Sequence, residues 1–381
     1  MKKVLGLVLE LNPFHNGHKY FIDQAIKMIN PSVTIAVVST SFTMRGDVSV
    51  IDKFAKTKLC LDYGIDIVLE LPFISAINSA DYFSAAAVNI LKSFQVTDIC
   101  FGSEAKSIET LQNIATISSS AEYNNILRAN LDKGLSYSSA SLSTLLSLTD
   151  PSLAMSSTLP NNTLGIGYLK AIKDSNITPH IIERIDNMYY DENISKTNIA
   201  SATSLRKEIG ENKEIDNYIP NYTYDFVNSD QVNDEIYKLL QYTFLKNDIS
   251  NFKNILGVKE GIENRFLSFI DSANYKDFIN NVQTKRYSIN TIKRLILHIL
   301  LNTSSQYEGK VNYYLRILGM NNCGMKYLAH LPKNIKQEII TTPKNSTNEF
   351  VNLELRATKL YCLLTNKNIY KQEYELIKKT E

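Results

Sequence analysis

Short runs rich in Val, Ile and Leu alternate with helical patterns over the first hundred residues, and this alternation limits the fold more than any other feature of the chain. The runs fall at 4–9, 33–38, 65–69 and 98–101, and the helical stretches between them span about 18–29, 52–63 and 79–93. Strands separated by helices of this length do not pair as tight hairpins. They pair in parallel through right-handed crossovers, with helices covering both faces of the sheet. Ligands of such sheets gather at the carboxyl ends of the strands. Three loops are therefore expected at one crevice: 10–18 after the first strand, 39–47 after the second, and Gly102-Ser103-Glu104 after the fourth.

The first of these loops carries the densest chemistry. It reads Glu10-Leu11-Asn12-Pro13-Phe14-His15-Asn16-Gly17-His18, and a helical pattern follows with Tyr20, Phe21, Ala25, Ile26 and Ile29 toward one side. Gly17 lets the backbone approach a ligand, and the start of the helix offers unpaired N–H groups and a positive dipole end to an anion. His15 and His18 can donate hydrogen bonds to oxygens that gain charge in a transition state. That combination suits holding the phosphates of a nucleoside triphosphate while a nucleophile attacks the α-phosphorus. A metal site fits less well, because no Cys or further His stands nearby to complete a ligand set.

A second constellation is Ser201-x-Thr203-x-x-Arg206, at the start of a short helix that a serine or threonine is well placed to cap. Ser201 and Thr203 can offer hydroxyls and N–H groups to a phosphate, and Arg206 lies on the same face as Thr203. Alone, the pattern reads first as an ordinary capped helix with a surface Arg. Paired with the His motif it becomes a second phosphate site, one motif holding the α-phosphate and the other the leaving pyrophosphate.

The 381 residues are enough for two domains, and 44% hydrophobic with 21% charged residues is ordinary for a soluble globular chain. A net charge of +2 neither demands nor excludes a nucleic-acid partner. The four cysteines, at 60, 100, 323 and 362, form no Cys-x-x-Cys pair, so they read as buried or incidental thiols in a reducing cytosol. The Met-Lys-Lys start followed by apolar residues resembles a secretory signal superficially, but Glu10 interrupts it. No apolar stretch reaches membrane-spanning length. A cytoplasmic location with neither a membrane nor a DNA partner is expected. Small helices are expected over 105–150, a further strand over 178–185 with Arg184 near its end, and a polar loop over 189–200. Pro220-Asn221-Tyr222-Thr223-Tyr224 reads as a linker, and helical periodicity dominates beyond it, as in 236–244, 261–272 and 291–301. The expected division is 1–214, α/β, and 215–381, mostly α-helical.

Five stretches in one order carry a resemblance: 10–18, Met44-Arg45-Gly46-Asp47, Phe101-Gly102-Ser103-Glu104, Pro160-Asn161-Asn162-Thr163-Leu164-Gly165 and Ala200-Ser201-Ala202-Thr203-Ser204-Leu205-Arg206. The chain resembles the HIGH-motif nucleotidyltransferase superfamily and, more closely, the bacterial tRNA(Met) cytidine acetate ligase family. The resemblance implies a Rossmann-like parallel-sheet nucleotidyltransferase domain followed by a mostly α-helical, tRNA-binding domain. It implies a two-step ligase in which ATP and acetate form acetyl-adenylate and pyrophosphate. The acetyl group then passes to N4 of the wobble cytidine of elongator tRNA(Met), giving N4-acetylcytidine and AMP. By this resemblance His15, His18 and Arg206 are the catalytic residues. The nucleotide contacts fall on Leu7, Glu10, Asn12, Phe14, Gly17, Gly102, Asn161 or Asn162, Arg184, Ile185, Ser201 and Thr203. Mg²⁺ is expected with ATP, although no dedicated carboxylate cage is evident. One departure is the second-strand loop, where Ser39-Thr40-Ser41-Phe42 replaces the family's usual Ser-Gly-Asn-Phe.

Arg45 and Asp47 are candidates for orienting substrate, with a solvated turn as the even alternative. For the RNA, Lys285-Arg286-Tyr287 and Lys293-Arg294 stand eight residues apart. On a continuous helix both pairs would project in similar directions, about 12 Å apart, with Tyr287 placed to stack on a base. Without the resemblance they read as a solvated helix face. The rival to the ligase is an adenylyltransferase acting on a phosphorylated small molecule, which shares the ATP motifs and needs no RNA.

Overall fold

Each β-rich run of the first hundred residues forms a strand in the computed structural model, which describes residues 2–183 and 198–379. These are β1 (Val4–Leu9), β2 (Val33–Ser39), β3 (Ile67–Leu71) and β4 (Asp98–Ser103). β3 begins two residues later than the run at 65–69, because the Ile65 N–H closes the preceding helix on the Cys60 carbonyl. β5 (Thr178–Glu183) adds the expected later strand; Arg184, Ile185 and the polar stretch to 197 lie outside the described residues.

The sheet has the order β5-β4-β1-β2-β3, all parallel, and two further strands extend it beyond β3. Chain order reverses between β1 and β4, and the loops leaving these two strands diverge to opposite faces. In sheets of this topology ligands bind between such loops, at the carboxyl ends of the strands. Both faces of the sheet are covered, which is why the strands read as continuous apolar runs. Side chains alternate in β2: Ile35 and Val37 belong to the apolar cluster that includes the helices Ala80–Ser93 and Pro160–Ile172, while Ala36 and Val38 belong to the one that includes Asn16–Ile29, Lys53–Asp62 and Ala202–Gly210.

The second half of the chain is mostly helical, as expected, yet it is not confined to its own layer. β6 (Ile317–Asn321) lies antiparallel to β3, and β7 (Ile377–Lys379) lies parallel to β6, so residues beyond 214 complete the sheet. Phe42 and Phe73 of the first half sit in the same apolar cluster as Ile236, Leu240, Phe278, Ile292 and Tyr361 of the helices. The Pro220–Tyr224 stretch, read as a linker, is instead docked: the Tyr222 hydroxyl donates to the Phe14 carbonyl at 2.7 Å, and the Tyr224 hydroxyl donates to Asp52 at 2.7 Å. Its aromatic hydroxyls find partners on the first domain, a placement that periodicity cannot register.

A buried ion network ties the halves together. Lys53 bonds Glu70, Glu354 and Glu373 at 2.8, 3.1 and 2.6 Å, and Arg316 bonds Glu70 and Glu373 at 3.0 and 2.7 Å. Burial pushes the Glu354 carboxyl up to about 7, with Lys53 opposing the rise and Glu70 adding to it. No disulfide joins the four cysteines, and burial pushes the thiols of Cys60 and Cys100 up to about 12. Among the described residues no helix is long and apolar enough to cross a membrane.

Candidate active site

The loop after β1 turns at Leu11, which adopts a left-handed conformation with φ of 51°, and passes into the helix Asn16–Ile29. His15 is the N-cap of this helix. Its Nδ1 accepts from the Gly17 N–H at 3.1 Å, and Nδ1 of His18 accepts from the His15 N–H at 3.3 Å. The two imidazoles thus form a reciprocal capping box in place of the usual Ser and Glu. In the neutral ring an accepting Nδ1 leaves the proton on Nε2, so each His presents a donor away from the helix end. The ring centroids lie 3.9 Å apart. Gly17 is required by this packing, because a Cβ there would sit 2.8 Å from Cε1 of His15.

Side chains foreseen as nucleotide contacts divide into two groups. Leu7 and Phe14 are wholly buried in protein, Leu7 in the sheet core and Phe14 stacked on Tyr63 at 5.1 Å. Any contact from either to a ligand is through the main chain. Asn12 is buried too: its side-chain oxygen accepts from the Val50 N–H at 2.8 Å and fixes the loop after β2. Glu10 accepts from the Met44 N–H at 2.8 Å, joining the first loop to the second.

Arg206 reaches the first loop from the far end of the domain. Ser201 caps the helix Ala202–Gly210 by accepting from the Ser204 N–H at 3.0 Å. Arg206 then donates through Nη1 to the Asn12 carbonyl at 2.7 Å and through Nη2 to the Thr203 hydroxyl at 3.1 Å. Burial lowers the Arg206 guanidinium from its ordinary value; Asp47 and Glu10 oppose that fall, and Arg45 adds to it. The two motifs meet, with the positive ends of two helices and one guanidinium in the same place.

At the end of β4, a Cβ on Gly102 would meet nothing within 4 Å, so the surface beside it is open. Asn162, fully buried, accepts from Ser103 Oγ at 2.8 Å and from the N–H groups of Glu104 and Ala105 at 3.0 and 3.2 Å. Its amide nitrogen donates to the carbonyl and hydroxyl of Ser156 at 3.0 and 3.1 Å. Both ends of this amide are committed to the protein. The Asn161 side-chain amide donates to Glu104 at 2.6 Å, as does its backbone N–H at 3.4 Å, which leaves the side-chain amide a second hydrogen.

The loop after β2 is neither solvated nor loose. Lys56, fully buried and absent from the sequence-based candidates, donates to the carbonyls of Ser39 and Thr40 at 3.0 and 2.8 Å. Burial pulls its ammonium down to about 8, against the charges of Glu10 and Asp52. A buried Lys on an amphipathic helix carries no sequence signal that separates it from a solvated one. Thr40 has no positive φ, so replacing the usual glycine introduces no left-handed strain. Farther along, Asp47 pairs with Lys293 at 2.7 Å, and Arg294 donates to the Met44 carbonyl at 3.1 Å. Burial would raise the Asp47 carboxyl, but Lys293 first, then Arg206 and Arg45, hold it below the usual carboxylate range.

Lys285 to Arg294 do not share a helix. The helix starts at Ile289 with Ser288 as N-cap, and the Thr284 hydroxyl accepts from the N–H groups of Arg286 and Tyr287 in a turn before it. Ser288 breaks the continuity because its side chain caps the Thr291 N–H. Arg286 pairs with Glu260 at 2.6 Å, the Tyr287 hydroxyl donates to the Lys259 carbonyl at 2.8 Å, and Lys293 and Arg294 face the first domain. Among the described residues no group of three or more His, Cys, Asp or Glu is placed to hold a metal ion.

The sequence model described as HIGH Nucleotidyl Transferase matches residues 1–375. A tRNA(Met) cytidine acetate ligase of Oceanobacillus iheyensis is 38% identical over 394 residues, covering 97% of this chain and 98% of that protein. One from Fusobacterium nucleatum is 36% identical over 373 residues, covering 93% and 91%. Among solved structures, apo Thermotoga maritima TmcAL superposes with a TM-score of 0.86 at 28% identity, covering 99% of this chain and 100% of that one. The same protein bound with alpha-thio ATP gives 0.83 at 27% identity, with both chains fully covered.

Proposed function

The chain belongs to the HIGH nucleotidyl transferase family, among the tRNA(Met) cytidine acetate ligases, and from that premise we propose that it activates acetate with ATP and transfers the acetyl group to the N4 amine of the wobble cytidine of elongator tRNA(Met). The observation that carries this reading is the meeting of the His motif with Arg206 through the Asn12 carbonyl. Two anion-facing helix ends converge there on the crevice beside Gly102.

Acetate is already anionic at neutral pH, so adenylation needs in-line placement and charge stabilisation rather than a strong base. An acetate oxygen attacks the α-phosphorus, the bond to the β-phosphate oxygen breaks, and pyrophosphate leaves. His15 and His18 donate through Nε2 to phosphate oxygens as charge builds on them. Arg206 with Ser201 and Thr203 takes the pyrophosphate, and Asn161, rather than the saturated Asn162, contacts the nucleotide. The cytidine N4 amine then attacks the acetyl carbon, AMP departs, and the amine gives up a proton. Mg²⁺ bound with ATP would neutralise part of the charge on the phosphates held by His15, His18 and Arg206. The helical part, 215–381, carries the tRNA, with Lys285, Arg286 and Tyr287 on its outer surface.

The test is acetate-dependent release of pyrophosphate and AMP from ATP, with and without unmodified tRNA, followed by nucleoside analysis of the RNA. Acetylcytidine at the wobble position that disappears with H18A supports the reading. Pyrophosphate release without acetate dependence overturns it in favour of a small-molecule adenylyltransferase.

A further inference from the structure

We propose that Lys293 is a positioning residue for the ATP site: its ammonium neutralises the Asp47 carboxylate and so keeps that charge from drawing Arg206 off the nucleotide phosphates. The inference rests on the reading above that Arg206 holds phosphate.

Lys293 belongs to the helix Ile289–Leu300 and meets Asp47 at 2.7 Å, 246 positions away, with both side chains about a quarter exposed. The loop bearing Asp47 lies directly against this helix. Gly46 has φ of 82°, and a Cβ there would lie 2.6 Å from the Arg294 nitrogen and 2.7 Å from Cβ of Lys293. Two residues before Gly46 the loop is pinned twice at Met44, by Arg294 on its carbonyl at 3.1 Å and by its N–H on Glu10 at 2.8 Å. The charges acting on the fixed Asp47 carboxylate are those of Lys293, Arg206 and Arg45, and the buried Tyr275 hydroxyl faces it as well.

Removing the Lys293 charge leaves a carboxylate acted on by Arg206 and Arg45, and Arg206 is the guanidinium needed by the nucleotide. It also sets that carboxylate against an incoming triphosphate. Either effect weakens ATP binding, and both act solely through Asp47. This is a different role from contacting RNA phosphates, because the Lys293 ammonium is spent inside the protein.

The experiment is calorimetric titration of the full chain with ATP, without acetate or tRNA, for wild type, K293R, K293M, D47N and the D47N/K293M double variant. We expect K293M to weaken ATP binding about tenfold, K293R to stay within about threefold of wild type, and K293M to cost nothing further in the D47N background. Equal cost of K293M in both backgrounds overturns the proposal, as does wild-type ATP affinity in K293M. A parallel tRNA titration in which K293M binds more weakly while its ATP affinity stays wild-type overturns it too and returns Lys293 to direct RNA contact. If the wild type binds ATP but makes no acetylcytidine, the acetylation reading falls while this cycle still decides the role of Lys293.

Discussion

Arg206 donates to the carbonyl of Asn12 at 2.7 Å, joining two helix-opening turns that stand 194 positions apart in the chain. The same guanidinium also reaches the Thr203 hydroxyl at 3.1 Å. A planar fork can hold a carbonyl, a hydroxyl and a phosphate together, whereas a lysine ammonium is a point charge on a flexible stem. R206A should lower acetate-dependent pyrophosphate exchange by about 10²–10³-fold. R206K should recover little of it. Recovery to within threefold would show that charge alone, and not the fork, is what the site uses.

His15 and His18 should separate into stability and rate. His15 caps the helix Asn16–Ile29 through the Gly17 N–H at 3.1 Å, while the return bond from the His15 N–H to His18 is long, at 3.3 Å. H15A should cost about 1 kcal/mol in urea unfolding, as lost N-caps do, and lower the exchange rate as well. H18A should lower the rate by about 10²-fold with a much smaller stability loss. Equal stability losses in the two variants would refute the division of roles.

Gly46 should tolerate no side chain. Its φ of 82° is left-handed, and a Cβ would press on the Arg294 backbone at 2.6 Å. G46A should destabilise the protein by about 1–3 kcal/mol and weaken ATP binding, because the loop must lift from the helix that fixes Asp47. Unchanged urea midpoint and ATP affinity would show that the loop relaxes freely.

His298 should make stability fall in acid. Burial, then the nearby Arg294 charge, depress its imidazole to about 3, with a backbone bond at Ile77 opposing. The unfolded chain, with an ordinary value of about 6.5, therefore binds more protons than the folded one between about 6.5 and 3. Stability contributed by the neutral ring is complete above 6.5 and is lost progressively as pH falls through that window. Between pH 7 and pH 5 the loss from this residue is about 2 kcal/mol. Urea midpoints of wild type and H298L across that range provide the check: the variant should show a shallower decline, and parallel curves would remove His298 as the cause.

Lys53 should be the least replaceable buried cation. It touches Glu70, Glu354 and Glu373, all with no exposed side-chain surface. K53M should cost about 3–5 kcal/mol, the usual penalty for stripping the partner from buried charges. A chain of residues 1–214 alone loses Arg316, Glu354, Glu373 and two strands of the sheet, so it should show no cooperative thermal transition. A sharp transition in that fragment would mean the first half folds by itself.

Much of the first domain was legible because local chemistry and tertiary demand agree there. The strands are buried on both faces and read as apolar runs, and Ser201 caps its helix as its side chain dictates locally. The position of the His motif at a strand-to-helix junction was legible for the same reason, whereas the reciprocal cap that His15 and His18 form there emerged only in the structure. Lys53, Lys56, Lys293 and Arg294 were not legible. A lysine in a helical pattern reads as solvated, and only a distant carboxylate or carbonyl makes it buried.

The sequence by itself determined the alternating core, the strand-to-helix turn bearing His15 and His18, and the capped helix bearing Arg206, all set by contacts within a few residues. The tertiary structure alone decided that β6 and β7 return to the sheet, that Tyr222 and Tyr224 dock on the first domain, and that Lys293 faces Asp47. Those arrangements join residues scores or hundreds of positions apart. Their stability comes from removing apolar surface from water and pairing buried polar groups, two quantities that depend on which surfaces meet and that no local pattern encodes.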